Sequence, residues 1–415
     1  MFACNYELYK DKQLKYKMYK ARVPIEFPLI INAAKIMHGL IAVLFFVVLI
    51  DPTGSLFHAK EIVFGITFLY AIVYMLLYDK RVSIYSVIIP LAMVALPFLG
   101  IILANAFGSY DNPEFALGQI KALMFSFLLP AFCLVEGEIL KKIVARIGLC
   151  IACIIFACYL VGLIDPASFA KLYVFMVEEK DLAIISVRQF LGLPIVAIFY
   201  RTAPVILFAM SYYLYNEKKG YKLFATISFL GLLFTGSRTP MLAALSLFLL
   251  YLADRVKNTR IKVILFVLMS SALIVLVLLL LGETTEESNM VKFGNVLSYF
   301  EALSNTPDLI FGEGLGSTFY AMGRSEWVTH SELTYLDLIR IYGLPVALIF
   351  ISIVFYPVLY AFTKKMELTD NRYFVAYALY MVVAGTNPLL LSSTGMCVFC
   401  LGWALVLKLE NKKMK

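Results

Sequence analysis

The sequence predicts an all-α polytopic membrane protein with about 12 transmembrane helices, and two observations support this class. First, 62% of the 415 residues are hydrophobic and only 15% are charged, with a mean hydropathy of +0.86. Soluble domains carry about 25% charged residues. Second, apolar runs long enough to cross a bilayer recur along the chain. Residues 1–415 are therefore expected to form a single integral membrane domain.

The apolar runs predict the spans one by one. In chain order these cover residues 28–50, 61–78, 84–104, 117–135, 147–164, 191–215, 223–236, 239–253, 263–281, 341–363, 373–391 and 394–409. The longest connection is residues 282–340. Its helically spaced apolar residues and its glycines predict an amphipathic helix, a turn, a loop and a second helix.

Lysine and arginine predict the orientation, because cytoplasmic loops retain positive charge. Basic residues concentrate at both termini and in alternate connections, so both termini are expected in the cytoplasm and the 282–340 loop outside. The net charge of +8 then has a topological origin. We expect anionic membrane lipid as a partner and no nucleic acid.

The seven cysteines predict neither a metal site nor a disulfide framework. Six of them fall in predicted spans, where cysteine behaves as a small hydrophobic residue. Metal or redox work, the alternative, would need accompanying polar ligands.

A charged residue interrupts the apolar sequence in TGSRTP, residues 235–240. Since the seventh span starts inside and is short, Arg238 is expected at the outer mouth of the bundle. Charges at such positions are usually retained for a ligand or a pairing carboxylate. The alternative is an outer anchor that pairs with headgroup phosphate or with a nearby acid.

Two further arginines are predicted to approach the same cavity. Arg201 falls inside the sixth span between Pro194 and Pro204, and Arg188 lies at the outer end of that element. Guanidinium groups bind phosphate oxygens with two parallel hydrogen bonds, so Arg188, Arg201 and Arg238 together predict a diphosphate ligand. For Arg201, a structural ion pair remains the alternative.

The segment WVTHSELTY, residues 327–335, holds a candidate base where the outer loop re-enters the membrane. His330 can take a proton from a hydroxyl at neutral pH. Glu332, Tyr335 and Asp337 follow closely. A polar interfacial cluster without catalytic work is the alternative.

Two patterns bear on cofactors. GEGLGS at 312–317 lacks the strand and the GK[ST] of a phosphate-binding loop, so it predicts a turn. The chain contains no Asp-x-Asp pair. The sequence therefore shows no carboxylate ligands for a site in which a divalent metal binds a sugar nucleotide. We expect neither metal nor cofactor.

Four motifs in order, TGSRTP, LIFGEGLGS, THSELTYLDLIRIYGLPVAL and AGTNPLLLSSTGM, resemble the O-antigen polymerase and O-antigen ligase superfamily over residues 224–409. The resemblance implies a C-type, metal-independent, inverting glycosyltransferase. Its substrates would be undecaprenyl-diphosphate-linked glycans, as donor and acceptor, at the outer face of the bacterial inner membrane.

The resemblance also implies residue roles. Arg238, with Arg188 or Arg201, would contact the diphosphate, and His330 would help to activate the acceptor. Ligase-like members commonly have His-Asn, whereas this chain has His330-Ser331-Glu332, which favours a polymerase and makes Glu332 a second candidate base. Tyr335 and Asp337 would support them.

Other functions remain open from the sequence. A ligase that transfers glycan to lipid A core shares the motifs, and a lipid-linked glycan flippase or transporter shares the multiple spans and intramembrane charges. Transporters of that kind usually have two similar halves, which this chain lacks. A chain-length regulator and a flippase are expected partners of a polymerase.

Overall fold

The computed structural model of the protein describes residues 27–190, 193–258, 260–261, 287–364 and 366–413. The fold is 75% helical. Within these residues, seven helices are long and apolar enough to cross a membrane, and two shorter apolar helices accompany them. The structure confirms a helical, membrane-embedded protein. The number of twelve spans stays a prediction.

The described helices follow one another with short connections. They are α1 (Phe27–Ile50), α2 (Lys60–Leu77), α3 (Tyr85–Phe107), α4 (Pro113–Met124), α5 (Leu129–Leu134), α6 (Gly137–Ile164), α7 (Pro166–Tyr173), α8 (Ile206–Leu214), α9 (Tyr221–Phe234), α10 (Arg238–Arg255), α11 (Glu287–Ala302), α12 (Thr306–Phe311), α13 (Thr334–Thr363), α14 (Leu368–Gly385) and α15 (Ser393–Lys413). Two antiparallel hairpins pair β1 (Ala183–Phe190) with β2 (Leu193–Tyr200), and β3 (Phe319–Ala321) with β4 (Glu326–Val328).

Short local signals determine where several helices begin. Asn112 caps α4 by accepting a hydrogen bond from the Phe115 amide at 3.0 Å, and Pro113 occupies the first helical position. Asp165 caps α7 in the same way, again before a proline. An asparagine or aspartate followed by proline satisfies a free amide and fixes φ, which favours helix initiation.

The predicted sixth span, residues 191–215, is wrong in its first half. Residues 193–200 form β2, which pairs with β1, and only Ile206–Leu214 is α-helical. A short apolar run does not distinguish helix from strand by periodicity. The β-branched and aromatic residues of LPIVAIFY favour the strand. Arg201 therefore follows a hairpin and does not lie within a transmembrane helix.

The helix of the tenth span, α13, begins at Thr334, seven residues before the predicted start at residue 341. It bends at Gly343. Gly343 has a φ of 76°, and a Cβ there would collide with the carbonyl oxygen of Ile310. Only glycine combines this φ with so close an approach. The predicted ninth span, 263–281, lies outside the described residues.

The core of the bundle is built around α15, in which 83% of the apolar window Ser393–Glu410 is buried. Small residues allow other helices to pack closely, as where Gly231 of α9 meets Ala152 of α6. At the end of the bundle that is predicted to be cytoplasmic, Arg372 donates two hydrogen bonds to Asp254 at 2.6 and 2.7 Å. This pair joins α14 to α10.

Candidate functional site

Three segments that lie far apart in the chain meet at the end of the bundle where α13 begins, which we call the predicted outer end. The hydroxyl of Thr239, next to Arg238, lies 3.4 Å from that of Thr386 in the α14–α15 connection. Thr334, at the start of α13, donates to the carbonyl of Asn387 in the same connection at 3.2 Å. The segments TGSRTP, AGTNPLLL and THSELTY are thus neighbours.

The first hairpin reaches the same end. Thr202 donates to the carbonyl of Leu49 at the end of α1 at 2.6 Å, and Thr394 donates to that of Val48 at 3.2 Å. A Cβ on Gly236 would collide with Ala197 of β2, so TGSRTP lies directly against the hairpin. The end of α1, the hairpin and the α14–α15 connection therefore surround one region.

A fully buried arginine organises the outer loop. One Nη of Arg340 lies 2.7 Å from both the Glu313 carboxylate and the Ser317 hydroxyl, and the other donates to the carbonyl of Thr329 at 2.7 Å. Its guanidinium lies 4.5 Å from the ring centroid of Phe319. Charges that are removed from water must be paired in this way. Arg340 therefore holds the glycine turns and the His330 segment to α13.

The GEGLGS segment is a turn, as predicted, and the structure gives it a packing role. Gly312, Gly314 and Gly316 have φ values of 76°, 89° and 97°. Leu315 donates from its amide to the carbonyl of Gly100 in α3 at 2.8 Å. The glycines let the loop backbone approach α3 and α13, where a Cβ would collide.

A buried carboxylate fixes the residue that follows His330. Asp337 accepts a hydrogen bond from the Ser331 amide at 2.9 Å and from the Tyr299 hydroxyl at 2.6 Å. Burial, with the negative charge of Asp337, raises the pKa of Tyr299, so this phenol stays protonated as a donor. Asp337 thus supports the His330 segment through its backbone.

His330 is exposed at the predicted outer end, and its ring stacks on Phe115 of α4 with centroids 4.9 Å apart and planes 13° apart. Its Nδ1 lies 3.4 Å from the Thr329 hydroxyl. The pKa of His330 is lowered, because protein atoms displace water around part of the ring and because Arg324 and Arg340 add positive charge. The imidazole is therefore neutral at pH 7 and can accept a proton.

Glu332 lies in a different environment from His330. Its carboxylate lies 3.5 Å from a terminal nitrogen of Arg324 and 3.8 Å from the Lys292 ammonium of α11. Residues 330–333 precede α13 and are not helical. These ion pairs connect Glu332 to α11 and to the turn between β3 and β4.

Tyr335 packs into the bundle. Its hydroxyl donates to the carbonyl of Met381 at 2.8 Å, and its ring fills the space beside Gly385. It anchors the first turn of α13 to α14, and this is a structural role.

The three candidate arginines differ in what surrounds them. Arg238 is half-buried and is the first residue of α10. Arg201 forms an ion pair with Asp181 and donates from Nε to the Asp181 carbonyl at 2.8 Å, while its side chain stays 34% exposed. Arg188 pairs with Ile195 in the hairpin backbone, and its side chain lies outside what the structure describes. The ion-pair alternative for Arg201 is thus present.

A cavity of about 790 Å³ lies at the opposite end of the bundle. Its charged lining is mainly acidic, and one of its two lysines, Lys141, is paired with Glu138 and Asp370. α13, roughly 45 Å long at 1.5 Å per residue, separates this cavity from His330. It is a separate feature from the predicted outer end.

Comparison with known proteins identifies no relative: neither a protein-family model nor a curated protein sequence matches this chain.

The sequence did not single out Arg340, Arg324, Tyr299 or Phe115 as parts of this region. One signal for Arg340 was available, because an arginine near a span end requires a partner and Asp337 lies three residues earlier on the same helix. Phe115 had no such signal, since its stacking on His330 joins residues that are distant in the chain.

Replacing Arg340 is expected to destabilise the outer loop strongly. Arg340→Met leaves Glu313 and Asp337 without their buried cation, which costs about 3–5 kcal/mol in comparable cases. Thermal unfolding of the purified protein in detergent would measure the loss. Arg255→Gln is a matched control, because Arg255 pairs with Glu217 on the surface at 3.7 Å and such pairs contribute at most about 1 kcal/mol. Equal unfolding temperatures for the two variants would contradict the role of Arg340.

Proposed function

We propose that the protein polymerises undecaprenyl-diphosphate-linked oligosaccharide repeat units, as a metal-independent inverting glycosyltransferase at the outer face of the bacterial inner membrane. The product would be O-antigen, capsule or exopolysaccharide. The supporting observation is the meeting of TGSRTP, THSELTY and AGTNPLLL at one end of the bundle, next to an exposed and neutral histidine. A flippase and a chain-length regulator would be its partners.

The reaction is a single displacement. The acceptor hydroxyl oxygen forms a bond to the anomeric carbon of the donor, and the bond from that carbon to the diphosphate oxygen breaks. The hydroxyl proton goes to His330, and the electron pair leaves with undecaprenyl diphosphate. One displacement inverts the anomeric centre. The leaving diphosphate is a stable anion. Cationic side chains that stabilise its negative charge can therefore take the place of a general acid.

Arg238 is the residue that we propose for contact with the leaving diphosphate. It opens the 18-residue helix α10, and the amide dipoles of a helix sum to partial positive charge at this end. A guanidinium there adds a full charge and a forked set of donors. Arg201, whose ion pair with Asp181 leaves it partly exposed, would be a second contact.

His330 is the proposed base. Glu332 is proposed to have a supporting role, without contact with the reacting atoms. The Glu332 carboxylate is already engaged in ion pairs with Arg324 and Lys292. Asp337 and Tyr335 hold the backbone on which His330 stands.

The proposal is tested with pure protein in vesicles that hold lipid-linked repeat units and a metal chelator. A ladder of lengthened lipid-linked glycans supports it. A flippase would move the lipid without lengthening any glycan, and a ligase would consume glycan only when lipid A core is added. Either of these results would reject the polymerase.

Glu332→Gln is expected to retain most of the turnover, because the amide keeps the size of the side chain and the reacting proton goes elsewhere. Initial rates of glycan lengthening at saturating donor would measure it. Glu332→Ala removes the side chain as well as its charge. A loss in Glu332→Gln as large as that in His330→Ala would instead make Glu332 a base.

The pH profile is expected to move when Arg324 is neutralised. His330 must be unprotonated to act as base, so activity falls as the pH drops through its pKa, which lies below the ordinary value. Arg324→Gln removes a positive charge that lowers this pKa. The pKa of His330 should therefore rise, and the acid limb should shift to higher pH.

The profile of kcat/KM against pH in vesicles would measure the shift. Arg324→Lys keeps the charge and should keep the wild-type limb. An Arg324→Gln limb at the wild-type pH or lower would show that His330 does not titrate in the reaction.

A further inference from the structure

The outer-loop helix α11 presents a stripe of exposed apolar side chains. Met290, Phe293, Leu297 and Phe300 are between 43% and 73% exposed. They are spaced by three, four and three residues, which places them on one face of a helix. Large apolar side chains exposed together in this way indicate an interaction surface.

The opposite face of α11 is fixed against the protein, which sets the direction of the stripe. Ser298 accepts a hydrogen bond from the Met322 amide at 2.8 Å, and the Tyr299 ring lies 4.9 Å from that of Phe319. Gly294 is in contact with the backbone of Gly323. The helix is therefore held by the second hairpin, with its apolar stripe directed away from it.

The segment that follows α11 lies beside the transmembrane helices. The glycine turn after α12 hydrogen-bonds Gly100 and packs on Ala104, both within the candidate span Tyr85–Phe107. Ile310 and Phe311 of α12 are themselves exposed. The outer loop thus packs against a candidate span, and Ile310 and Phe311 add exposed apolar surface to it.

The second hairpin adds an aromatic pair. Tyr320 and Trp327 face each other across the strands with ring centroids 5.9 Å apart, and Trp327 is 70% exposed. Tyrosine and tryptophan are enriched where a membrane protein passes the lipid headgroups, because one end of the ring is apolar and the other polar.

We propose that the apolar face of α11, together with Tyr320 and Trp327, lies in the interfacial region of the outer leaflet and binds the phospholipid surface. A helix of this kind lies parallel to the membrane, with its apolar face among the upper acyl chains. Lipid is the occupant because the chain between α11 and α13 packs on a candidate span and carries further exposed apolar residues, Ile310 and Phe311, in α12. This surface is independent of catalysis and of the proposed reaction.

Tryptophan fluorescence can test the proposal, because the chain has only two tryptophans. Trp403 is 7% exposed and stacks on Tyr356, so Trp403→Phe leaves Trp327 as the single tryptophan, which is excited selectively at long wavelength. Nanodiscs that hold one copy of the protein are prepared with phosphatidylcholine brominated either high or low on its acyl chain. The high bromines are expected to quench Trp327 more strongly than the low ones.

The stripe itself is tested in a background in which both tryptophans are phenylalanine. Single tryptophans are then introduced as Phe293→Trp and Phe300→Trp on the stripe, with Lys292→Trp as the control, because Lys292 is part-exposed and lies roughly 120° around the helix from the stripe. Strong quenching at the two stripe positions and weak quenching at the control support the proposal. Equal quenching at all three, or none at the stripe, overturns it. Quenching that disappears with two copies per disc would assign the stripe to a second copy and overturn it too.

Discussion

Arg238→Ala is expected to abolish detectable glycan transfer, and Arg238→Lys is expected to recover little of it. Removing a preorganised donor from a developing oxyanion typically costs a factor of about 100 to 1,000 in rate, and a diphosphate leaving group depends on such donors throughout. An ammonium is a point charge and cannot give two parallel hydrogen bonds to two phosphate oxygens. The measurement is the rate of glycan lengthening in vesicles at fixed donor concentration.

Arg255→Ala is the matched control, because Arg255 ends the same helix that Arg238 begins. Its side chain is 54% exposed, and it is expected to be dispensable for transfer. Both variants should reach the membrane in normal amounts. Full activity in Arg238→Lys would reduce Arg238 to a positive anchor at the membrane surface, which was the alternative that the sequence left open.

His330→Ala is expected to separate donor binding from turnover. Without a general base, transfer should slow by a factor of about 100 to 10,000. The lipid-diphosphate donor should still bind, since the arginines are unchanged. Binding of labelled donor to the protein in detergent and single-turnover transfer in vesicles measure the two quantities separately.

A second histidine provides the control. His58 is exposed in a loop and has a φ of 49°, which asparagine tolerates, so His58→Asn should change neither binding nor turnover. If His330→Ala turns over at the wild-type rate, the histidine-base mechanism fails. If it loses donor binding as well, the histidine acts on the donor and not on the acceptor.

The sequence predicted the membrane class and most helix positions well, because apolar length is a direct physical requirement for crossing a bilayer. α1, α2, α9 and α10 begin within a few residues of the predicted spans. The hairpin of residues 183–200 could not be predicted in this way. Its pairing joins two strands, and one strand alone, LPIVAIFY, is as apolar as a helix.

The sequence indicated the candidate reactive residues of the site, but it did not indicate the contacts that hold them in place. A histidine and an arginine in otherwise apolar surroundings stand out by their desolvation cost, so His330 and Arg238 are visible in the sequence. The contacts of Thr239 with Thr386 and of Thr334 with Asn387 depend on how the helices pack, which no local pattern encodes. For the same reason Arg201 was expected within a helix and follows a strand instead.

The buried contacts of the Arg340 guanidinium limit how the outer loop can be exchanged with that of another protein. Its partners Glu313, Ser317, Thr329 and Asp337 are spread over 25 positions of the chain, from 313 to 337, and all of them serve one guanidinium. A chimaera that swaps only part of this stretch would leave a buried charge without its counterpart. Exchange of the outer loop would therefore require at least residues 313–340 as one unit, with the arginine included.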